Sequence, residues 1–143
     1  MHYAVAIVPT NWEPESSIGF SSMSYQKWHE KIEPGTRVLI YKQDPVNAII
    51  AEAQVQDNAF VALENLPEEN RSPLFTQDGN PADYALPLQV TMVYPQRHYV
   101  AQEELSRFMQ TPQLDGWIPV NAEIFRALRE PVTTDISEEE AER

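Results

Sequence analysis

The sequence predicts an α+β domain: a small, curved, mixed but mostly antiparallel β-barrel with two or three helices at its periphery. Three observations lead there. Short apolar runs of strand character recur along the 143 residues, at Tyr3 to Val8, Thr36 to Tyr41, Ala48 to Gln56, Tyr84 to Tyr94 and Trp117 to Val120. The second and third are joined by Lys42-Gln43-Asp44-Pro45, a link too short for anything but an antiparallel hairpin. There are 12 prolines against 4 glycines, and proline interrupts helices and central strands, so the elements should be short and joined by rigid turns. Few helices lie between strands, which argues against a doubly wound sheet.

Each element has its own local reason. Val5, Ile7 and Val8 make the opening run a buried strand, closed by Pro9. The stretch from Thr10 to Ser17 reads as loop. Ser24 is the expected cap of a helix from Tyr25 to Ile32, where Tyr25, Trp28 and Ile32 share one face. Glu33-Pro34-Gly35 ends it, because a residue before proline avoids the α region. Val38 to Tyr41 is apolar throughout and therefore central. The returning strand carries Ile50, Ala51, Ala53 and Val55. Phe60 to Leu63 is a short strand or helix. Glu64 to Asp83 is a polar, proline-marked surface excursion.

In the run from Tyr84 to Tyr94, residues Leu86, Leu88, Val90, Met92 and Tyr94 share one parity. That is the period of a half-buried antiparallel strand. Glu103 to Met109 is a short helix. Trp117 to Val120 is the last strand, and Asn121 caps a helix from Ala122 to Arg129 with Ile124, Phe125 and Leu128 inward. Residues 1–131 are expected to form one domain. Residues 132–143 carry five carboxylates against one arginine and no aromatic residue, and are expected to be a frayed acidic tail.

Composition excludes several classes of function. With no cysteine, a thiol nucleophile, a disulfide framework and a cysteine zinc site are ruled out. Its histidines, His2, His29 and His98, form no metal-ligand spacing, so no metal and no cofactor are expected. No two glycines lie close enough for a phosphate-binding loop, and the serines lack a nucleophile-elbow context. Carboxylates such as Glu13, Glu15, Glu103, Glu104 and Asp115 read as solvated surface acids. An enzyme is therefore not expected. The N-terminus lacks a cationic leader and no apolar run approaches a membrane span, so a cytoplasmic protein is expected.

The formal net charge is −12, from 10 basic and 22 acidic residues, which is hostile to a long polyanion unless the cations gather. The aromatic residues are more informative. Trp12 stands in the loop after the first strand, Phe20 in the next loop, and Tyr41, Tyr94 and Trp117 at strand ends. Such rings either line the mouth of a barrel or plug it. In the first case a planar ligand stacks there, at about 1–3 kcal/mol per stack.

The order of these segments resembles the EVE domain, of the PUA-like superfamily related to the YTH readers. The resemblance is carried by Tyr3 to Pro9 followed by Asn11-Trp12, by Ile18-Gly19-Phe20-Ser21, by Trp28 to Gly35 and by Thr36 to Tyr41. It continues through Ala48 to Val55, Leu86 to Tyr94, and Trp117 to Leu128. Phe20 stands in the region where those domains usually place a cage tryptophan, and Thr36 follows Pro-Gly where the family has aspartate. The resemblance implies a non-catalytic module that takes a modified nucleobase of DNA or RNA from its strand. Trp12, Phe20 and Tyr41 would enclose the base, Asn11 and Ser21 would meet its edge, and Lys27 or Arg97 would contact phosphate. The alternative is a protein-interaction module on the same fold, which has lost the base site and binds a basic protein partner.

Overall fold

The computed structural model describes residues 2–9, 12, 17–43, 45–57, 60–63, 76, 81–101, 103 and 117–129. The strands in order are β1 (Tyr3–Val8), β2 (Ile18–Phe20), β3 (Arg37–Lys42), β4 (Ala48–Val55), β5 (Val61–Ala62), β6 (Tyr84–Leu86), β7 (Leu88–Val93), β8 (Val100–Ala101) and β9 (Trp117–Val120). Helix α1 (Ser22–Trp28) follows β2, and α2, residues 122–129, follows β9. The larger sheet runs β7-β4-β3-β1-β9, with β8 on the start of β4, and the smaller one runs β2-β6-β5. Only β1 and β3 pair in parallel among the described strands, so the sheet is mixed and mostly antiparallel. Among the described residues the ladders form these two sheets and no closed barrel.

The central strands are buried on both faces. From β1, Ala4, Ala6 and Val8 face one cluster while Val5 and Ile7 face another. From β3, Val38 and Ile40 join the first, and Leu39 and Tyr41 the second. The first face carries Trp12, Phe20, Trp28 and Trp117 over Ala4, Ala6, Ala51 and Ala53. Small residues on the sheet leave the volume that these large rings fill. The second face is covered by α2 through Phe125 and Leu128.

Two irregularities direct side chains. Between Ile40 and Tyr41 the β3–β4 register shifts, so that Ile50 and Ala51 both reach the first cluster. Between Glu52 and Ala53 the β4–β7 register shifts as well. There Thr91 is the extra residue, and its hydroxyl donates to the Glu52 carbonyl at 3.2 Å. Val90 therefore packs on the first face while Met92 and Tyr94, of the same parity, pack on the second. The single strand expected from Tyr84 to Tyr94 is two strands in two sheets, divided at Pro87. Proline has no N–H for a ladder, so the chain changes sheets there.

Helix α1 begins earlier than its periodicity indicates. Ser21, not Ser24, is the cap, its hydroxyl accepting from the Ser24 N–H at 3.1 Å. Ser22 N–H and O–H both donate to Asp83 Oδ2, at 2.9 and 3.0 Å, and fasten the helix start to the start of β6. The helix ends at Trp28, and Ile32 stays buried beyond it. Glu33 to Thr36 is a turn closed by Thr36 N–H donating to the Glu33 carbonyl at 3.2 Å. Pro34 and Gly35 hold its central positions, with Gly35 at φ +87°, as a type II turn requires. Asn121 caps α2 as expected, its side chain accepting from the Ile124 N–H at 2.8 Å. The expected helix at 103–109, most of the excursion at 64–83 and the tail at 132–143 lie outside the described residues.

A buried ionic cluster fastens α2 to the sheet. Glu52 on β4 points into the second face, and its side chain is only 4% exposed. Tyr94 O–H donates to Glu52 Oε2 at 2.5 Å. Arg129 Nε donates to the same oxygen at 3.1 Å, and its Nη2 reaches Oε1 at 3.1 Å. Arg37 Nη2 lies 3.7 Å from Oε1. The guanidinium groups of Arg37 and Arg129 rest 5.0 and 5.8 Å from the Phe125 ring centroid. Replacing Arg129 by Met leaves the carboxylate short of its closest cation, and should destabilise the fold by about 3–5 kcal/mol in urea unfolding.

Burial, and next the bond to Glu52, push the Tyr94 phenol well above its ordinary value. Below about pH 10 the phenol is neutral in folded and unfolded chains alike. Above it only the unfolded chain releases the proton, so stability falls by up to about 1.4 kcal/mol per pH unit from this group. Urea unfolding at a series of alkaline pH values should show that fall, and Tyr94→Phe should make it shallower.

Candidate functional site

The smaller sheet and α1 gather aromatic side chains against the first face. Phe20, at the end of β2, meets Phe60 edge to face at 5.0 Å between centroids and Trp117 at 5.9 Å. Tyr25 on α1 meets Phe60 edge to face at 5.2 Å. The same Tyr25 ring stacks on Tyr84 of β6 at 3.8 Å and 5°, and on His29 at 4.5 Å and 15°. Two parallel rings that close cannot share one face of Tyr25, so the three form a column with Tyr25 in the middle. His29 is oriented within it by a 2.7 Å bond from Nδ1 to the Tyr25 carbonyl. A carbonyl only accepts, so Nδ1 is the nitrogen that carries hydrogen.

Trp12 is seated in the first cluster with Phe20, and their exposures are 4% and 3%. The Trp12 indole Nε1 donates to the Ser17 carbonyl at 3.2 Å, which holds the loop against the core. The faces of both rings are covered by neighbours in the fold. Tyr41 is 7% exposed and packs in the other cluster, with Tyr94 and Val100. The sheet stands between Tyr41 and the Trp12–Phe20 pair, because Tyr41 has the opposite parity to Ile40 on β3. Burial, and next the charge of Glu103, raise the Tyr41 phenol above its ordinary value.

The polar members of the expected site are also distributed. Ser21 lies beside Phe20 and caps α1. Lys27 is exposed on α1, with Nζ 5.0 Å from the Trp28 ring centroid. Arg97 lies in the 3₁₀ turn Gln96–His98, exposed, three positions before the Val100 that packs beside Tyr41. Asn11 lies outside the described residues. The structure thus brings Trp12, Phe20, Ser21 and Lys27 to the side of the sheet that carries α1, and leaves Tyr41 on the other.

Several residues of this aromatic face were not singled out from sequence. Tyr25 and His29 stand four apart on a helix, the spacing that allows their rings to meet. Tyr84 opens a strand and gave no local signal of its long-range partner. Trp28 was legible only as a core residue. It is 8% exposed, yet its Nε1 has no hydrogen-bond partner. Lys31 Nζ lies 5.5 Å from the same indole. Among the described residues no group of three His, Asp or Glu side chains is placed to hold a metal ion. No helix among them is long and apolar enough to cross a membrane.

No protein-family model matches the chain, and no curated protein matches it by sequence. The backbone is similar to several solved structures. A protein from Pseudomonas putida matches with a TM-score of 0.60 at 13% identity, over 90% of this chain and 98% of that one. The YTH domain of the Zygosaccharomyces rouxii MRB1 protein, solved in complex with N6-methyladenosine RNA, matches at 0.53 and 11% identity, over 90% and 86%. The ASCH protein of Zymomonas mobilis matches at 0.51 and 14% identity, over 90% and 94%. At these identities the likeness concerns the path of the backbone alone, which this chain shares with a YTH domain and an ASCH protein.

Trp12 and Phe20 are core rings of this fold. Trp12→Ala and Phe20→Ala should each destabilise the chain by about 3–5 kcal/mol in chemical unfolding, the range for removing a buried large aromatic side chain.

Proposed function

We propose that this protein is a non-catalytic nucleic-acid-binding module of the EVE type, which takes a modified nucleobase on the aromatic face formed by β2, α1 and β6. The observation that carries the reading is the gathering of Trp12, Phe20, Tyr25, Trp28 and Tyr84 on one side of the sheet, with Lys27 on the adjoining helix and Lys31 in the turn after it. The similarity of the backbone to a YTH domain in complex with N6-methyladenosine RNA supports it. Binding here relies on stacking, which needs flat rings and no nucleophile or general base. Trp12 stands in a loop, so it is the wall that moves when a base enters beside Phe20. Tyr41 packs on the other side of the sheet and does not serve the same base, and Ser21 is occupied as a helix cap. The base contacts therefore narrow to Trp12 and Phe20, with Lys27 toward phosphate.

A second reading is favoured by the close packing of Trp12 and Phe20 and by the net charge of −12. In it the fold is kept, the base site is closed, and the acidic surface docks a basic protein.

Calorimetric titration of the full chain with short single strands, unmodified or carrying one methylated base, separates the two at low salt. The base reader gives heat with a methylated strand. Phe20→Leu, which keeps an apolar side chain and removes the ring, then weakens binding by about 5- to 150-fold, the equivalent of one lost stack. No heat with any strand, together with capture of a defined basic protein, supports the second reading.

A further inference from the structure

We propose that His29 is the outer plate of a stacking platform, which takes the base adjacent in the strand to the one bound beside Phe20. The inference rests on the base-binding reading above and names where the next nucleotide goes.

The platform is the ring column that Tyr84, Tyr25 and His29 form in that order. Its planes are nearly parallel, 5° apart between Tyr84 and Tyr25 and 15° apart between Tyr25 and His29. The inner end is rooted in the smaller sheet, where Tyr84 of β6 pairs with Phe20 of β2. Phe60 meets both Phe20 and Tyr25 edge to face, at 5.0 and 5.2 Å. The column therefore starts one ring away from the wall of the base site.

The outer end is open to a further ring. The His29 side chain is 34% exposed. One face of its imidazole lies on Tyr25, and its Nδ1 is held by the Tyr25 carbonyl at 2.7 Å. Those contacts cover one face and one edge, which leaves the opposite face and the Nε2 edge for the exposed part. The Nε2 edge has the Glu30 carboxylate at 3.7 Å, so it is no seat for a phosphate. What the side chain offers outward is a flat surface, backed by two more rings and already fixed in orientation. A nucleobase matches it, because every base has a π-face and histidine is among the side chains on which unstacked bases lie. Little side-chain freedom remains to be lost when the base arrives. Stacking reads no base edge, so the platform accepts any neighbouring base.

The test is calorimetric titration of the full chain. The probes are a methylated nucleoside, a short single strand with the methylated base at its centre, and the same strand with an abasic residue on either the 5′ or the 3′ side of that base. The platform requires that one of the two abasic strands bind about 5- to 150-fold more weakly than the intact strand, the equivalent of one lost stack. His29→Ala should weaken the intact strand to the same degree and leave that abasic strand and the nucleoside unchanged. His29→Phe should restore the affinity for the intact strand. Circular dichroism is the control for folding, and the abasic comparison in the unaltered chain needs no variant. Equal binding of the intact strand and both abasic strands overturns the platform and leaves the base reading standing. An abasic penalty that persists undiminished in His29→Ala puts the neighbouring base elsewhere and overturns the platform alone. Failure of the unaltered chain to bind any of the probes overturns the platform and the base reading together.

Discussion

The structure depends on a division of side-chain size across one sheet. β1, β3 and β4 are buried on both faces, and they present alanine at positions 4, 6, 51 and 53 to the side that carries the rings. Larger residues there would hold Trp12, Phe20, Trp28 and Trp117 away from the backbone. Val5, Ile7, Leu39 and Ile49 face the other way and meet α2 and Tyr94. Each face therefore has its own packing problem, solved by different elements. The aromatic side is assembled from loops, α1 and the smaller sheet, and the opposite side is closed by α2 over a buried ion pair. A change that crowds one side need not disturb the other.

The two sides also differ in chemistry. The first is almost wholly apolar at its centre and polar at its border, where Lys27 on α1 and Lys31 in the turn after it lie. The second buries a carboxylate within reach of a phenol and two guanidinium groups. That cluster is a fastening and not a ligand site, because every group in it already has a partner within the fold. The separation explains why Tyr41 cannot join Trp12 and Phe20. A ring at the end of a central strand is assigned to a face by its parity, whatever lies near it in sequence.

Much of the fold was legible. Apolar runs and short links gave the longer strands and the antiparallel hairpin but not the short β2 and β8, and Asn121 with its apolar sequel gave α2 and its cap. Pro34-Gly35 marked its turn. The cap of α1 was misplaced because three serines lie within four positions and only long-range bonding to Asp83 selects among them. The break at Pro87 was hidden by an alternation that continues past it. The parity of Val90 and Met92 is the same, yet the extra residue at Thr91 turns them to opposite faces. The candidate site was legible only in part. Trp12 was found as a loop aromatic, Phe20 was read as a loop residue but ends the short strand β2, and the Tyr25–Tyr84 stack joins segments far apart in sequence and has no local sign. Glu52 gave no signal, because a lone acid in an apolar strand does not announce its arginine.

Pro87 has a mechanical consequence. It is the only residue between β6, which carries Tyr84 of the ring column, and β7, which leads to Tyr94 and the ion pair. Its ring fixes φ, so this joint cannot swivel as an ordinary residue would. The corner keeps the rotation about its ψ alone, which narrows the range of angles at which β6 and β7 can meet.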